Sequence, residues 1–209
     1  MARDTLHTKC RLCRREGVKL YLKGARCLSS KCPIEKKGAV PPGMHGLKRT
    51  SRPSSYGIQL RAKQKVKRFY GVLERQMKKY YTQAKDMTGL LGENMLFQLE
   101  IRLDNVVTQA GFGPSRSAAK QLISHKKIMV NGQVLNVSSY QVKINDVISL
   151  KPSKKLDGID FPFKDKDFKT PSWMVLTKDQ HSVKIVNMPK RQEISQDFEE
   201  NLIIEFYSR

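Results

Sequence analysis

The stretch that decides the fold runs from residue 95 to residue 137, "MLFQLEIRLDNVVTQAGFGPSRSAAKQLISHKKIMVNGQVLNV". Leu96, Leu99, Leu103, Val106 or Val107, and Ala110 recur every three or four residues, which predicts one amphipathic helix with Gly111 as its C-terminal cap. Pro114 separates it from a shorter helix that Ser115 can cap. That helix turns Ala118, Ala119, Leu122 and Ile123 inward and presents Arg116, Lys120 and then His125, Lys126 and Lys127 outward. Ser115, Ser117, Ala118 and Ala119 are small, so the backbone of a polyanion can approach closely. Two β-rich runs flank Asn131–Gly132, and a two-residue type I′ turn needs the positive φ that Asn and Gly accept. "YQVKINDVISL" repeats the idea around Asn145–Asp146. Residues 95–152 are expected to form two helices on a small antiparallel sheet, and the chain is expected to be α+β.

Working outward, residues 58–87 carry Val66, Phe69 or Tyr70, Leu73, Met77, Tyr80 or Tyr81, Ala84 and Met87 at helical spacing, which predicts a long amphipathic helix. Its first turns hold Arg61, Lys63, Lys65, Lys67 and Arg68 with no acid among them. Such a run repels itself unless an anion sits opposite, so phosphate contact is the expectation. Gly71 falls inside this helix and is mildly unfavourable there. The preceding residues 33–57, rich in Pro and Gly, read as an extended connector. Its Lys48, Arg49 and Arg52 suit either a solvated loop or a backbone phosphate.

All four cysteines lie near the N-terminus as C-x2-C, thirteen residues, then C-x4-C: Cys10, Cys13, Cys27 and Cys32. Two short pairs joined by a loop suit tetrahedral coordination, with zinc favoured as a redox-inert structural ion; an iron–sulfur cluster could use the same ligands. Four thiolates leave no open position for catalysis, and His7 is read as a surface residue. A segment with so few large apolar groups needs such a staple. The staple would orient Arg11, Arg14, Arg15, Lys19, Lys23, Arg26 and Lys31.

Beyond the module, residues 153–172 read as a polar connector. "WMVL" and "SVKIV" read as a strand pair, and "DFEENLIIEFYSR" as a closing helix with Phe198, Leu202, Ile203 and Phe206 on its apolar face. The expected organisation is therefore a metal-binding segment (1–45), a basic helical domain (46–94), the module (95–152), a connector (153–172), and a C-terminal strand pair and helix (173–209) that pack back on the helical domain.

The net charge is +21, and its distribution is uneven. Residues 1–85 hold 23 of the 40 Lys and Arg but only 4 of the 19 Asp and Glu. Residues 109–156 hold 8 basic residues and the single acid Asp146. Two basic territories suggest a polyanion gripped by two surfaces, and nucleic acid leads because neutralising phosphates releases counterions. A membrane surface is the competitor, but there is no apolar run long enough to span a bilayer and no signal-peptide pattern behind Met1. The expected compartment is a reducing cytoplasm, or an organelle that makes its own protein, where disulfides are disfavoured.

The segments "SSYGIQLRAKQKVKRFYGVLERQMKKYY" (54–81), "GENMLFQLEIRLDNVVTQAGFGPSRSAAKQLISHKKIMVNGQVLNVSSYQV" (92–142) and "ENLIIEFYSR" (200–209) closely resemble the bacterial-type family of the fourth small-subunit ribosomal protein. The cysteine set resembles that family's metal-binding branch. The resemblance implies an early-binding protein that grips a multi-helix junction of small-subunit rRNA and helps organise assembly. It also implies a contact with the fifth small-subunit ribosomal protein, where decoding accuracy is influenced. Three basic residues before the family's Tyr-Gly motif line the site where mRNA enters, and Lys48, Arg49 and Arg52 match them here. The candidate rRNA-binding residues are Arg11, Arg14, Arg15, Lys23, Arg26, Tyr56, Arg61, Lys63, Lys65, Lys67, Arg68, Ser115, Arg116, Lys120, His125, Lys126, Lys127 and Asn131. No membrane, no small-molecule substrate and no enzymatic activity are expected.

Two other classes of protein make different demands on the sequence. An RNA-modifying enzyme carrying the same module would need a catalytic domain, and the chain has neither a G-x-G-x-x-G nor a P-loop pattern nor paired carboxylates in an apolar setting. A zinc-stapled DNA regulator should concentrate base-reading side chains on one recognition helix. Here the basic residues are spread over several elements, as shape and phosphate recognition of folded RNA requires.

Overall fold

The computed structural model describes residues 8–48, 52–152, 161–162, 168, 170–177, 182–194 and 196–209. These fall into two compact units: residues 1–74 with 198–209, and residues 75–197.

In the first unit, α1 (Lys9–Glu16) ends on Gly17 at φ 72°, a 3-10 turn covers Gly24–Cys27, and α2 (Pro33–Lys37) begins on a proline, which costs nothing at a first helical position. Thus part of the expected connector is helical. The helix α3 (Ser55–Tyr70) is capped by Ser54, whose side chain accepts from the Gly57 amide. It does not continue to Met87 as the apolar spacing suggested. Gly71 adopts φ 61° and ψ 39° as a left-handed cap, and a new helix, α4 (Glu74–Lys85), starts three residues later and belongs from Arg75 onward to the second unit. The periodicity survives because the break is short, while glycine takes the positive φ that ends a helix. Helix α8 (Glu200–Ser208) closes the unit against α3. Phe198 meets Phe69 edge-on at 5.3 Å and lies 6.1 Å from Tyr70, and Tyr56 lies 5.7 Å from Phe206.

In the second unit, the expected helix over 95–111 is also broken, into α5 (Leu91–Glu100) and α6 (Leu103–Gln109). At the break Arg102 forms an antiparallel bridge to Gln141, and the Ile101 carbonyl accepts from Val142. Helix α7 (Arg116–Ser124) packs on α6, with Ser115 capping it as expected. The Asn-Gly hairpin forms: β1 (Ile128–Val130) and β2 (Gln133–Val134) pair Val130 with Gln133, and Asn131 and Gly132 both have positive φ, 51° and 79°. The second expected hairpin does not form. Residues 143–146 make a turn with Asn145 at φ 70°, and only β3 (Val147–Leu150) follows, paired to β1.

The C-terminal strand pair, β4 (Met174–Leu176) and β5 (Ser182–Ile185), does not pack on the helical domain as expected. It extends the module into a five-stranded antiparallel sheet of order β2-β1-β3-β5-β4. The inward residues Ile128, Val130, Ile148, Leu150, Val183 and Ile185 continue one core with Leu103, Val106, Phe112 and Trp173. Pairing satisfies the outer edge of β3 and buries Val183 and Ile185, which a free-standing pair could not do. Of the expected C-terminal segment, only α8 and the residues leading into it belong to the first unit. Most of the 153–172 connector lies outside the described residues, although Phe161 is buried in the module's core.

Candidate nucleic-acid interface

The four cysteines are brought together. Cys10 and Cys13 lie on α1, Cys27 ends the 3-10 turn, Cys32 precedes α2, and all four line one small cavity with Lys23 and Arg26 at its edge. Cys13, Cys27 and Cys32 are buried, and no disulfide joins the four. The Lys23 amide donates to Cys27 Sγ at 3.4 Å. Burial pushes the Cys13 thiol up; an amide hydrogen bond from Leu20 works against this, and the other three cysteines add to it. Among the described residues, no group of three or more His, Cys, Asp or Glu side chains is already arranged as a metal cage. The donor chemistry nevertheless fits a soft tetrahedral ion: four sulfurs around one cavity, with backbone amides and cations beside them.

The surrounding cations divide. Arg14 donates from Nε to the Val40 carbonyl at 2.8 Å and from Nη2 to that of Pro41 at 3.0 Å, so it ties down the following loop. Lys19 pairs with Glu35. Arg11, Arg15, Lys23, Arg26 and Lys31 are exposed.

Helix α3 differs most from expectation. The anions opposite its basic run belong to the protein itself. Glu16, with its side chain only 2% exposed, pairs with Arg61 at 3.1 Å and also with Arg68. Burial pushes the Glu16 carboxyl up, and the two arginines only partly offset this. Lys63 is buried; its Nζ lies 2.6 Å from Glu74 Oε1 and 4.1 Å above the Phe206 ring. Lys67 reaches the other Glu74 oxygen at 3.0 Å, and the Tyr207 hydroxyl donates to Oε1 at 2.8 Å. Lys65 lies 5.8 Å from the Phe198 ring. These side chains hold α1 and α8 on α3; Glu16 and Glu205 are remote in the chain, so a sequence window around α3 could not show their part, whereas Glu74 lies within it. Glu205 accepts from Gln59.

Burial raises the Glu74 carboxyl, but hydrogen bonds from Lys63, Lys67 and Tyr207 overcome it and hold it at about 2, below the ordinary 4.5. A carboxylate lowered by folding stabilises above its ordinary value and loses that contribution as pH falls through its folded value. Docking of α8 is therefore expected to be intact at pH 5 and to weaken progressively as the pH approaches 2. A carboxyl-carbon NMR titration of Glu74 checks this, and a midpoint near 4.5 would refute it.

Of the residues matched to the mRNA site, Lys48 and Arg52 are exposed and Arg49 lies outside the described residues. Tyr56 is half-exposed. On α7, Ser115 is spent as a cap, Arg116 Nε donates to Asn105 Oδ1 at 2.8 Å, and Lys120 Nζ lies 3.6 Å from the buried Asp104. His125 and Lys126 are exposed and Lys127 is partly so. Asn131 is folded back at the hairpin tip: its side chain donates to Asp146 at 2.8 Å and accepts from the Val147 amide at 2.9 Å.

One set escaped the sequence reading. Arg75, Lys78 and Lys79 are all exposed on α4, and the helix's only acid, Glu74, is taken up by Lys63, Lys67 and Tyr207. The spacing i, i+3, i+4 is visible in the sequence, but the apolar periodicity that runs through residues 58–87 does not mark the start of a separate helix there.

The domain pattern matches two family models end to end: "Ribosomal protein S4/S9 N-terminal domain" over residues 5–100 and "S4 domain" over residues 101–148. The chain is 49% identical to small ribosomal subunit protein uS4 of Halothermothrix orenii over 204 residues, covering 96% of each chain. It is 44% identical to that of Clostridium tetani over 209 residues, covering all of both. The chain belongs to the uS4 family. That membership makes it a structural, RNA-binding protein of the small ribosomal subunit and not an enzyme, in agreement with the resemblance in its motifs. The sheet extends beyond the residues matched to the S4 domain, because β4 and β5 enlarge it.

Proposed function

We propose that this uS4 protein binds the phosphate backbone of folded small-subunit rRNA through two separately built basic surfaces, and that it does so early in assembly at a multi-helix junction. The observation that carries this reading is the division of the cations. Four of the five on α3 are engaged by Glu16 and Glu74, while Arg75, Lys78 and Lys79 on α4, Lys126 beside His125 after α7, and Arg11, Arg15, Lys23 and Arg26 around the cysteines face outward. Exposed cations spread over several elements suit recognition by shape and phosphate. The cysteine segment would hold one structural zinc ion through Cys10, Cys13, Cys27 and Cys32, and that coordination would anchor its basic loops. Lys48, Arg49 and Arg52 would lie where mRNA enters, and the neighbouring fifth small-subunit protein would be the contact through which accuracy is influenced. The protein would act on the ribosome, in a bacterial cytoplasm or an organelle; no helix among the described residues is long and apolar enough to cross a membrane.

The test is the salt dependence of binding to transcribed small-subunit rRNA. Replacing Arg75, Lys78 and Lys79 together by Gln is expected to flatten the slope of log affinity against log salt by about two units. Replacing Lys63 alone should leave that slope unchanged, because its ammonium is already paired. An unaltered slope in the triple variant would remove α4 from the interface.

A further inference from the structure

Arg116 stands in the first turn of α7, where a cation works against the helix dipole, and that turn contains no acid. Its place is therefore not explained by helix stability. What holds it is a chain of buried and part-buried hydrogen bonds from the preceding helices. Arg116 Nε donates to Asn105 Oδ1 at 2.8 Å. An asparagine amide can turn either its oxygen or its nitrogen towards a neighbour, and Glu100 decides which. Asn105 Nδ2 donates to Glu100 Oε2 at 2.6 Å and to the Glu100 carbonyl at 3.0 Å, which leaves the oxygen facing Arg116. Gln109 Nε2 donates to the same Glu100 oxygen at 2.6 Å and pins the carboxyl group. Glu100 and Asn105 are each 1% exposed.

We propose that Glu100 and Asn105 are positioning residues for RNA recognition, setting the plane of the Arg116 guanidinium for an rRNA phosphate. The inference rests on the reading that α7 faces RNA. Core packing alone gives no reason for these polar groups, since an apolar set of the same shape would serve it as well. Orientation matters because a guanidinium meets a phosphate as a planar fork, and a side chain already held in place loses less freedom on binding. One turn further along, Lys120 rests near buried Asp104, so both α7 cations are supported from beneath.

The full chain and transcribed small-subunit rRNA provide the test, in a cycle of Asn105→Ala and Arg116→Lys with Arg116→Ala as reference. Arg116→Ala should weaken binding roughly tenfold. Arg116→Lys keeps the charge but not the fork and should lose most of the same factor. Asn105→Ala should cost several-fold in the native background and nothing further beside Arg116→Lys. In the unbound protein, Asn105→Ala should shift the Arg116 Nε–H resonance while the Trp173 indole signal stays in place. No loss in Arg116→Ala would overturn the placement of α7 on RNA. A loss in Arg116→Ala without one in Arg116→Lys would leave that placement standing and overturn the positioning role, as would additivity in the cycle. If Asn105→Ala does not fold, Asn105→Ser takes its place in the cycle, with the same outcomes expected.

Discussion

Asp104→Asn is expected to destabilise the second unit by about 3–5 kcal/mol, the cost of leaving a buried charge without its partner. Arg102 and Asp104 have side chains 2% and 1% exposed. Their pairing is bidentate, Nε to Oδ1 at 3.0 Å and Nη2 to Oδ2 at 2.7 Å, and Arg102 Nη1 donates to the Tyr80 hydroxyl at 2.6 Å. Burial works against the guanidinium charge, but Asp104 and then Tyr80 outweigh it and push its pKa up. The asparagine keeps the shape and removes the charge, so it leaves Arg102 buried and poorly compensated. The double change Arg102→Met with Asp104→Leu should recover most of the loss, because two apolar side chains need no partners. The single tryptophan, Trp173, is 2% exposed in this unit's core and reports its urea transition. A loss below about 1 kcal/mol in Asp104→Asn would show that the pair is not what holds α6 at the break after Glu100.

Removal of the zinc proposed for the cysteine site is expected to have the other large effect. Chelation, or Cys13→Ala, should collapse the amide dispersion of residues 9–37 while the Trp173 transition stays where it was. Among the described residues before Lys48, the buried apolar side chains are Leu20 and three of the cysteines. So small a core cannot offset the entropy of ordering the segment, whereas a structural zinc ion contributes about 10–16 kcal/mol in isolated fingers. Glu16 alone is no substitute: it ties the end of α1 to Arg61 and Arg68, but burial weakens its carboxylate. Two-dimensional NMR on a sample with and without chelator decides the matter; an unchanged N-terminal spectrum would dismiss zinc as the staple.

Legibility from sequence followed the range of the interactions. The Asn131–Gly132 turn and the Ser115 cap depend on a few consecutive residues, and both formed as read. The helix breaks at Gly71 and Ile101 were missed because the apolar periodicity runs through them; in the second, the pairing of Arg102 with Gln141 settles the matter from 39 positions away. The strand pair was recognised but sent to the wrong unit, since local patterning says that a strand needs a neighbour without saying which one.

The same division governs the charges. The sequence by itself determined that the chain is basic, that its four cysteines are spaced as two pairs, that its module is helices on an antiparallel sheet, and that its motifs are those of uS4 proteins. Each of these depends on composition or on spacing along the backbone. Which cations are available was decided only by tertiary structure. Glu16, remote in the chain from Arg61 and Arg68, and Glu74, closer to Lys63 and Lys67, engage four of the five α3 cations, and the outward charge falls mainly to α4, the turn after α7 and the cysteine loops. A charge pair stabilises through distance in space, and sequence fixes only distance along the chain.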